Sequence, residues 1–87
     1  MKAIEFNGNE IEITWANALT AGYGHKRITV ELRYNGEHEA FSAVTDNMID
    51  YDVAVEIEGE EKYKALFDLI DYKIEDEIID WVNEINN

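Results

Sequence analysis

The chain contains no cysteine, and that one absence removes a disulfide framework, a thiolate metal site and a thiol nucleophile together. Serine and histidine are almost as scarce: Ser42 is the one serine, and His25 and His38 are the only histidines. Nucleophilic catalysis needs an activated side chain beside a base, and no triad assembles from so thin a set. Long apolar runs are missing too, since none approaches the ~18 residues of a membrane helix. The opening Met1-Lys2-Ala3-Ile4-Glu5 lacks the apolar core of a signal peptide. The expectation is a cytoplasmic chain with no membrane contact.

Positive charge is the next scarcity. Seven Lys and Arg stand against twenty Asp and Glu, for a net charge of −13. The imbalance is uneven: residues 1–45 hold six acids and four bases, and residues 46–87 hold fourteen acids and three bases. A field this negative repels nucleic acid and anionic membrane, and it draws basic partners inward. At this density some carboxylate pairs are unavoidable, so they carry no weight as glycosidase chemistry. Asp46, Asp50 and Asp52 come nearest to a Ca²⁺ or Mg²⁺ loop, but the stretch lacks the mid-loop glycine and the spacing of an EF-hand. The chain therefore reads as a non-enzymatic protein with no metal and no cofactor.

What the sequence does contain is enough for a small core: 46% hydrophobic residues, ten of the 87 being aromatic. Residues 3–6 and 11–15 alternate, with Ile4 and Phe6 on one face and Ile11, Ile13 and Trp15 on one face. A two-residue turn at Gly8-Asn9 would pair Phe6 with Ile11 and Ile4 with Ile13. Asn17–His25, with two glycines and small residues, reads as a longer loop. Lys26–Tyr34 alternates again, with Ile28, Val30, Leu32 and Tyr34 inward and Arg27, Thr29, Glu31 and Arg33 outward. Asn35-Gly36 then marks a hairpin that sets Val30 opposite Phe41, Ile28 opposite Ala43, Leu32 opposite Glu39 and Arg33 opposite His38.

Thr45-Asp46-Asn47 resembles a helix N-cap cluster. Residues 48–57 fit both a strand, through Tyr51, Val53, Val55 and Ile57, and a short helix, through Met48, Ile49, Asp52 and Val53; a short helix or turn after Asp46 is the preferred reading. Glu60–Ile85 contains neither Gly nor Pro, and its apolar residues step by threes and fours, as one helix face does. Such a helix is roughly 39 Å long. The predicted architecture is α+β: a four-stranded antiparallel sheet of two hairpins in residues 1–44, covered on one face by a long helix in an acidic half, residues 45–87.

Placed at 100° steps, Tyr63, Phe67, Ile70, Ile74, Ile78, Trp81 and Ile85 form the core side of that helix. Ala65, Leu69, Tyr72 and Ile79 form a second apolar strip, interleaved with Glu61, Asp68, Glu75, Asp76 and Asp80. Either residues 48–57 fold back over this strip, or it is a contact surface with aromatic and aliphatic anchors in an acidic rim. Glu77 falls inside the core stripe, where an unpaired carboxylate would cost several kcal/mol. A kink, a basic partner, or a helix end that overhangs the sheet would resolve this, and overhang is the preferred reading.

Carboxylates three and four residues apart on a helix lie ~5–6 Å apart, and each DNA strand presents a phosphate about every 3.4 Å of axis. A row of Asp68, Asp71, Glu75, Asp76 and Asp80, anchored by Tyr72 and Ile79, would thus suit a Lys/Arg groove built for backbone phosphates. The basic, glycine-rich stretch Gly22–Arg27, with Tyr23, His25, Lys26 and Arg27, is the second candidate contact, a cradle for a phosphate or acidic group. It matches neither a P-loop nor a dinucleotide-binding pattern.

In size, charge, α+β pattern and lack of catalytic residues, the chain resembles the small acidic phage-encoded inhibitors, including anti-CRISPR proteins and other DNA mimics. The resemblance implies a basic nucleic-acid-binding partner, such as a CRISPR effector, in a bacterial cytoplasm, and no direct binding of nucleic acid. The alternative expectation is a small assembly module that forms a homodimer through the second strip, with Gly22–Arg27 of one copy meeting the acidic helix of another.

Overall fold

The computed structural model describes residues 2–87. Four strands come first: β1 (Lys2–Phe6), β2 (Asn9–Gly22), β3 (His25–Tyr34) and β4 (Glu37–Thr45). Two helices follow, α1 (Met48–Glu56) and α2 (Glu60–Asn86). The strands form one antiparallel meander in the order β1-β2-β3-β4, and α2 packs across one face. The α+β architecture anticipated above is therefore present.

Every β-connection is a two-residue turn with both central residues at positive φ: Asn7-Gly8, Tyr23-Gly24 and Asn35-Gly36. This is the type I′ geometry, whose twist matches that of the flanking strands. The third hairpin has the register read from its sequence, with Val30 opposite Phe41 and Arg33 opposite His38. The first is shifted. Its turn is Asn7-Gly8 rather than Gly8-Asn9, so Ile4 pairs with Ile11 and Phe6 with Asn9. A shift of two residues keeps side-chain parity, so Ile4, Ile11 and Ile13 still face the core.

Asn17–His25 is not a loop. β2 and β3 stay paired to Gly22 and His25, so the sheet is built from three hairpins rather than two. Small residues without polar contrast hide the strand alternation there. Tyr23 holds φ 52° and is fully exposed. A bulky side chain is strained in that region, by ~1–2 kcal/mol for an ordinary L-residue, and the exposed ring recovers nothing by packing. Asn suits this turn position, so Tyr23→Asn is expected to raise stability by ~0.5–1 kcal/mol. A urea midpoint that fails to rise would contradict the strained turn.

A bulge at Thr14 makes the largest change to the expected core. Ile13 pairs with Leu32, but the next pair is Trp15 with Glu31. One extra residue reverses parity downstream. Ala16 therefore enters the core, and Trp15 emerges on the bare face of the sheet, 44% exposed. Thr14 Oγ1 lies 2.7 Å from Glu31 Oε1 beside the bulge.

The ambiguous stretch is helix over Met48–Glu56, and Ile57 is its extended C-cap. Asn47 caps α1 reciprocally: its Oδ1 accepts from the Asp50 amide, and its Nδ2 donates to Asp50 Oδ2 at 2.7 Å. The Thr45 hydroxyl, in a buried residue, accepts from the Asn47 amide. α2 spans 27 residues and matches the 40 Å long axis of the molecule. It does not overhang. The Trp81 ring meets Phe41 at 5.6 Å and Tyr34 at 6.3 Å, and the Tyr34 hydroxyl reaches Asn86 Oδ1 at 2.9 Å.

Glu77 is exposed on this fully docked helix. The buried residues Leu66, Ile70, Ile74, Ile78 and Val82 are spaced by four, so each is rotated ~40° from the last. The buried stripe thus winds around the helix, as packing across a twisted sheet requires. By the last turns it has moved ~100° away from Glu77.

Candidate functional site

The outer half of α2 collects the carboxylates. From Asp71 onward the helix carries Asp71, Glu75, Asp76, Glu77, Asp80 and Glu84 against one base, Lys73. All six are exposed except Asp71, which is half-buried. Among the described residues Lys73 forms no ion pair with any of these carboxylates. Its ammonium donates to the Val44 carbonyl on β4 and lies 5.8 Å from the Tyr72 ring centre. Asp68 differs from the rest of the row, because Lys64 donates to its Oδ1 at 2.5 Å one turn earlier. An exposed i,i+4 pair of this kind contributes a few tenths of a kcal/mol, and it neutralises Asp68 locally.

The second apolar strip is divided in three. α1 folds back over its beginning: Val53, Ala54 and Ile57 meet Ala65, Asp68 and Leu69 around an open groove of about 250 Å³. Ile79 is half-buried and lines a small cleft with Phe6, Asn7, Asn9, Val82 and Asn83, beside the first hairpin turn. Only Tyr72 is left open, 68% exposed among the carboxylates. The structure therefore leaves Tyr72, Glu75, Asp76 and Asp80 exposed on α2 with Asp71 half-buried at one side of them, and it turns Ile79 toward the body.

α1 adds two residues that the sequence reading did not select. Ile49 and Val53, spaced by four, are both exposed on a helix whose only buried residue is Ala54. The i,i+4 spacing was the available signal, and the strand-like alternation of Tyr51, Val53, Val55 and Ile57 obscured it. Asp50, Asp52 and Glu56 surround them.

The basic stretch does not form a cradle. Lys26 and Arg27 are consecutive strand residues and point to opposite faces. Lys26 donates to Thr20 Oγ1 at 3.2 Å and lies 5.5 Å from the Tyr51 ring centre, joining the hairpin to α1. Arg27 donates to Ser42 Oγ on the bare face. Tyr23 and His25 stand at the exposed tip. The four residues are thus spread over a tip and two faces.

On the bare sheet face, Arg33 pairs with Glu12 at 2.6 Å, and His38 Nδ1 lies 3.4 Å from Glu31 Oε1. Ser42 shares this strand with His38 but sits four residues along, ~13 Å away. At the opposite face, Lys2 donates to Glu61 Oε1 at 2.7 Å, and that bond holds the ammonium above its ordinary pKa range. Among the described residues, no three His, Asp or Glu side chains converge on a position that would hold a metal ion. No described helix is long and apolar enough to cross a membrane. Compared with protein-family models, curated proteins and solved structures, the chain matches none of them.

Proposed function

We propose that this chain is a non-enzymatic inhibitor that presents α1 and the outer half of α2 as a phosphate-like surface to a basic, nucleic-acid-binding protein of a bacterial cytoplasm, such as a CRISPR effector. The observation that carries the reading is the surface from Asp71 to Glu84, where Lys73 is the only base and is drawn aside to the Val44 carbonyl. Carboxylates at helical spacing of three and four lie ~5–6 Å apart, within the reach of Lys and Arg side chains that otherwise track a phosphate backbone. Tyr72, with Ile49 and Val53 beside the α1–α2 groove, supplies apolar anchors inside an acidic rim. Charge complementarity then sets the association rate and partner choice.

The test is displacement of DNA. Labelled duplex bound to a guide-loaded Cas9-type effector is followed by fluorescence anisotropy as the chain is added. The expected result is release of the duplex, with an inhibition constant that weakens steeply as salt is raised. The chain alone leaves the anisotropy of free duplex unchanged. Failure to displace DNA from a panel of such effectors at low salt overturns the reading.

A further inference from the structure

From Ile13 to Gly24 the chain carries no charged residue, although charged residues make up 31% of it. The same stretch contains an open sheet edge. Among the described residues β1 reaches only as far as the pair Lys2 with Ile13, and β2 beyond Ile13 is paired on its β3 side alone. Bulges at Thr14 and Ala21 bracket a regular segment, Trp15–Thr20. Natural edges are usually blunted by lysine, proline or an inward-pointing charge, and this segment has none of them. It also exposes large apolar groups on the bare face, Trp15 at 44% and Leu19 at 63%. The other edges are protected: β1 carries Lys2 and Glu5, and β4 carries Glu37 and Glu39 and has its Val44 carbonyl occupied by Lys73.

We propose that the β2 edge at Trp15–Leu19 pairs antiparallel with the same edge of a second copy, joining two four-stranded sheets into one of eight strands. The charge pattern selects this occupant. Two chains of −13 each tolerate a two-fold contact only where it sets no carboxylate against its own copy. Residues 15–20 of β2 and 40–45 of β4 are both free of charge, but on β4 the Val44 carbonyl is already taken by Lys73, which leaves the β2 segment. A basic partner chosen by charge would find nothing to recognise here. The pairing register follows from parity, since directly opposed residues must share a face. A two-fold axis at Asn17 sets Trp15 against the partner's Leu19, Ala16 against the partner's Ala18, and Asn17 against the partner's Asn17. Each Trp15 ring then covers one exposed Leu19, and the two amides meet between them. The bulge at Ala21 turns the tip off the ladder before it meets the partner's β1. A short ladder is a small interface, so the dimer dissociates in the micromolar range.

The test uses the intact chain in sedimentation velocity over a hundredfold range of concentration, at low and high salt. The expected result is a monomer–dimer equilibrium that tightens with salt as the like net charges are screened. This is opposite to the salt dependence of the inhibition proposed above, so either reading can fail alone. Leu19→Lys is expected to weaken the dimer more than tenfold, whereas Tyr72→Lys leaves it unchanged. The natural absence of cysteine supplies a register probe. In Asn17→Cys the opposed Cα atoms lie ~4.5–5.5 Å apart, within disulfide range, so mild oxidation gives a covalent dimer much faster than in the surface control Asn83→Cys. A monomer at every concentration, a dimer lost with Tyr72→Lys and kept with Leu19→Lys, or equal cross-linking of the two cysteine variants would overturn the proposal.

Discussion

Phe67→Ala is expected to remove most of the stability of this domain. Phe67 is buried, and its ring meets Phe6 edge-to-face at 6.4 Å, joining α2 to the edge strand β1. Truncation of such a side chain costs ~3–5 kcal/mol, as transfer free energy plus the cavity left behind. The whole stability of a small domain is only ~5–15 kcal/mol. Neither neighbour can refill the space readily, because Leu66 and Ile70 are themselves buried and fixed by the twisted sheet. Trp81→Ala, at a half-buried position in contact with Tyr34 and Phe41, is expected to cost ~3 kcal/mol, the lower end of the same range. Urea unfolding followed by far-ultraviolet circular dichroism reads both variants. An unchanged midpoint for Phe67→Ala would mean that α2 is not docked on the sheet as described.

The parts of this fold that were legible in the sequence are those where polarity contrast is strong. Alternation in Lys26–Tyr34 and the Asn35-Gly36 turn specify the β3–β4 register fully. The period of three and four in Glu60–Ile85 specifies α2. Contrast fails in Asn17–Gly22, where Ala, Thr and Gly leave inward and outward positions looking alike, and a long paired arm reads as a loop. At the first hairpin two adjacent dipeptides can each form a turn, and parity cannot choose between registers two residues apart. The Thr14 bulge has no composition signal at all, so the outward position of Trp15 was not readable. Glu77 falls inside a core stripe of fixed direction, but the buried face of α2 rotates along the helix and leaves it exposed.

The candidate surface was legible to a similar degree and for similar reasons. Charge and helical period placed Asp71, Tyr72, Glu75, Asp76 and Asp80 on the same helix, and of these Tyr72, Glu75, Asp76 and Asp80 are exposed while Asp71 is half-buried. Tertiary packing decided the others. The first hairpin turn takes Ile79, Lys64 takes Asp68, and α1 shields Leu69 while adding Ile49 and Val53.

Reversal of Asp71, Glu75 and Asp76 to lysine is expected to abolish the displacement of DNA from a basic effector, a loss of at least a hundredfold in inhibition. Glu75 and Asp76 are exposed on α2 and Asp71 is half-buried, and Asp68 is left in place because it is bridged to Lys64. The substitutions move the net charge from −13 to −7 and put cations where the effector presents its own. Close like charges in a partly desolvated contact cost several kcal/mol, more than the attraction they replace. The domain itself should not suffer. None of the three makes a hydrogen bond or ion pair that holds the fold among the described contacts, and the change relieves self-repulsion in a strongly acidic chain. The control is Lys26→Glu with Arg27→Glu, which makes the chain more acidic without touching α2, and which should retain inhibition. The triple reversal should keep its helical circular dichroism and lose its inhibition at every salt concentration. If it still displaces DNA while the Lys26 and Arg27 variant does not, the acidic helix is not the working surface and the β2–β3 arm is.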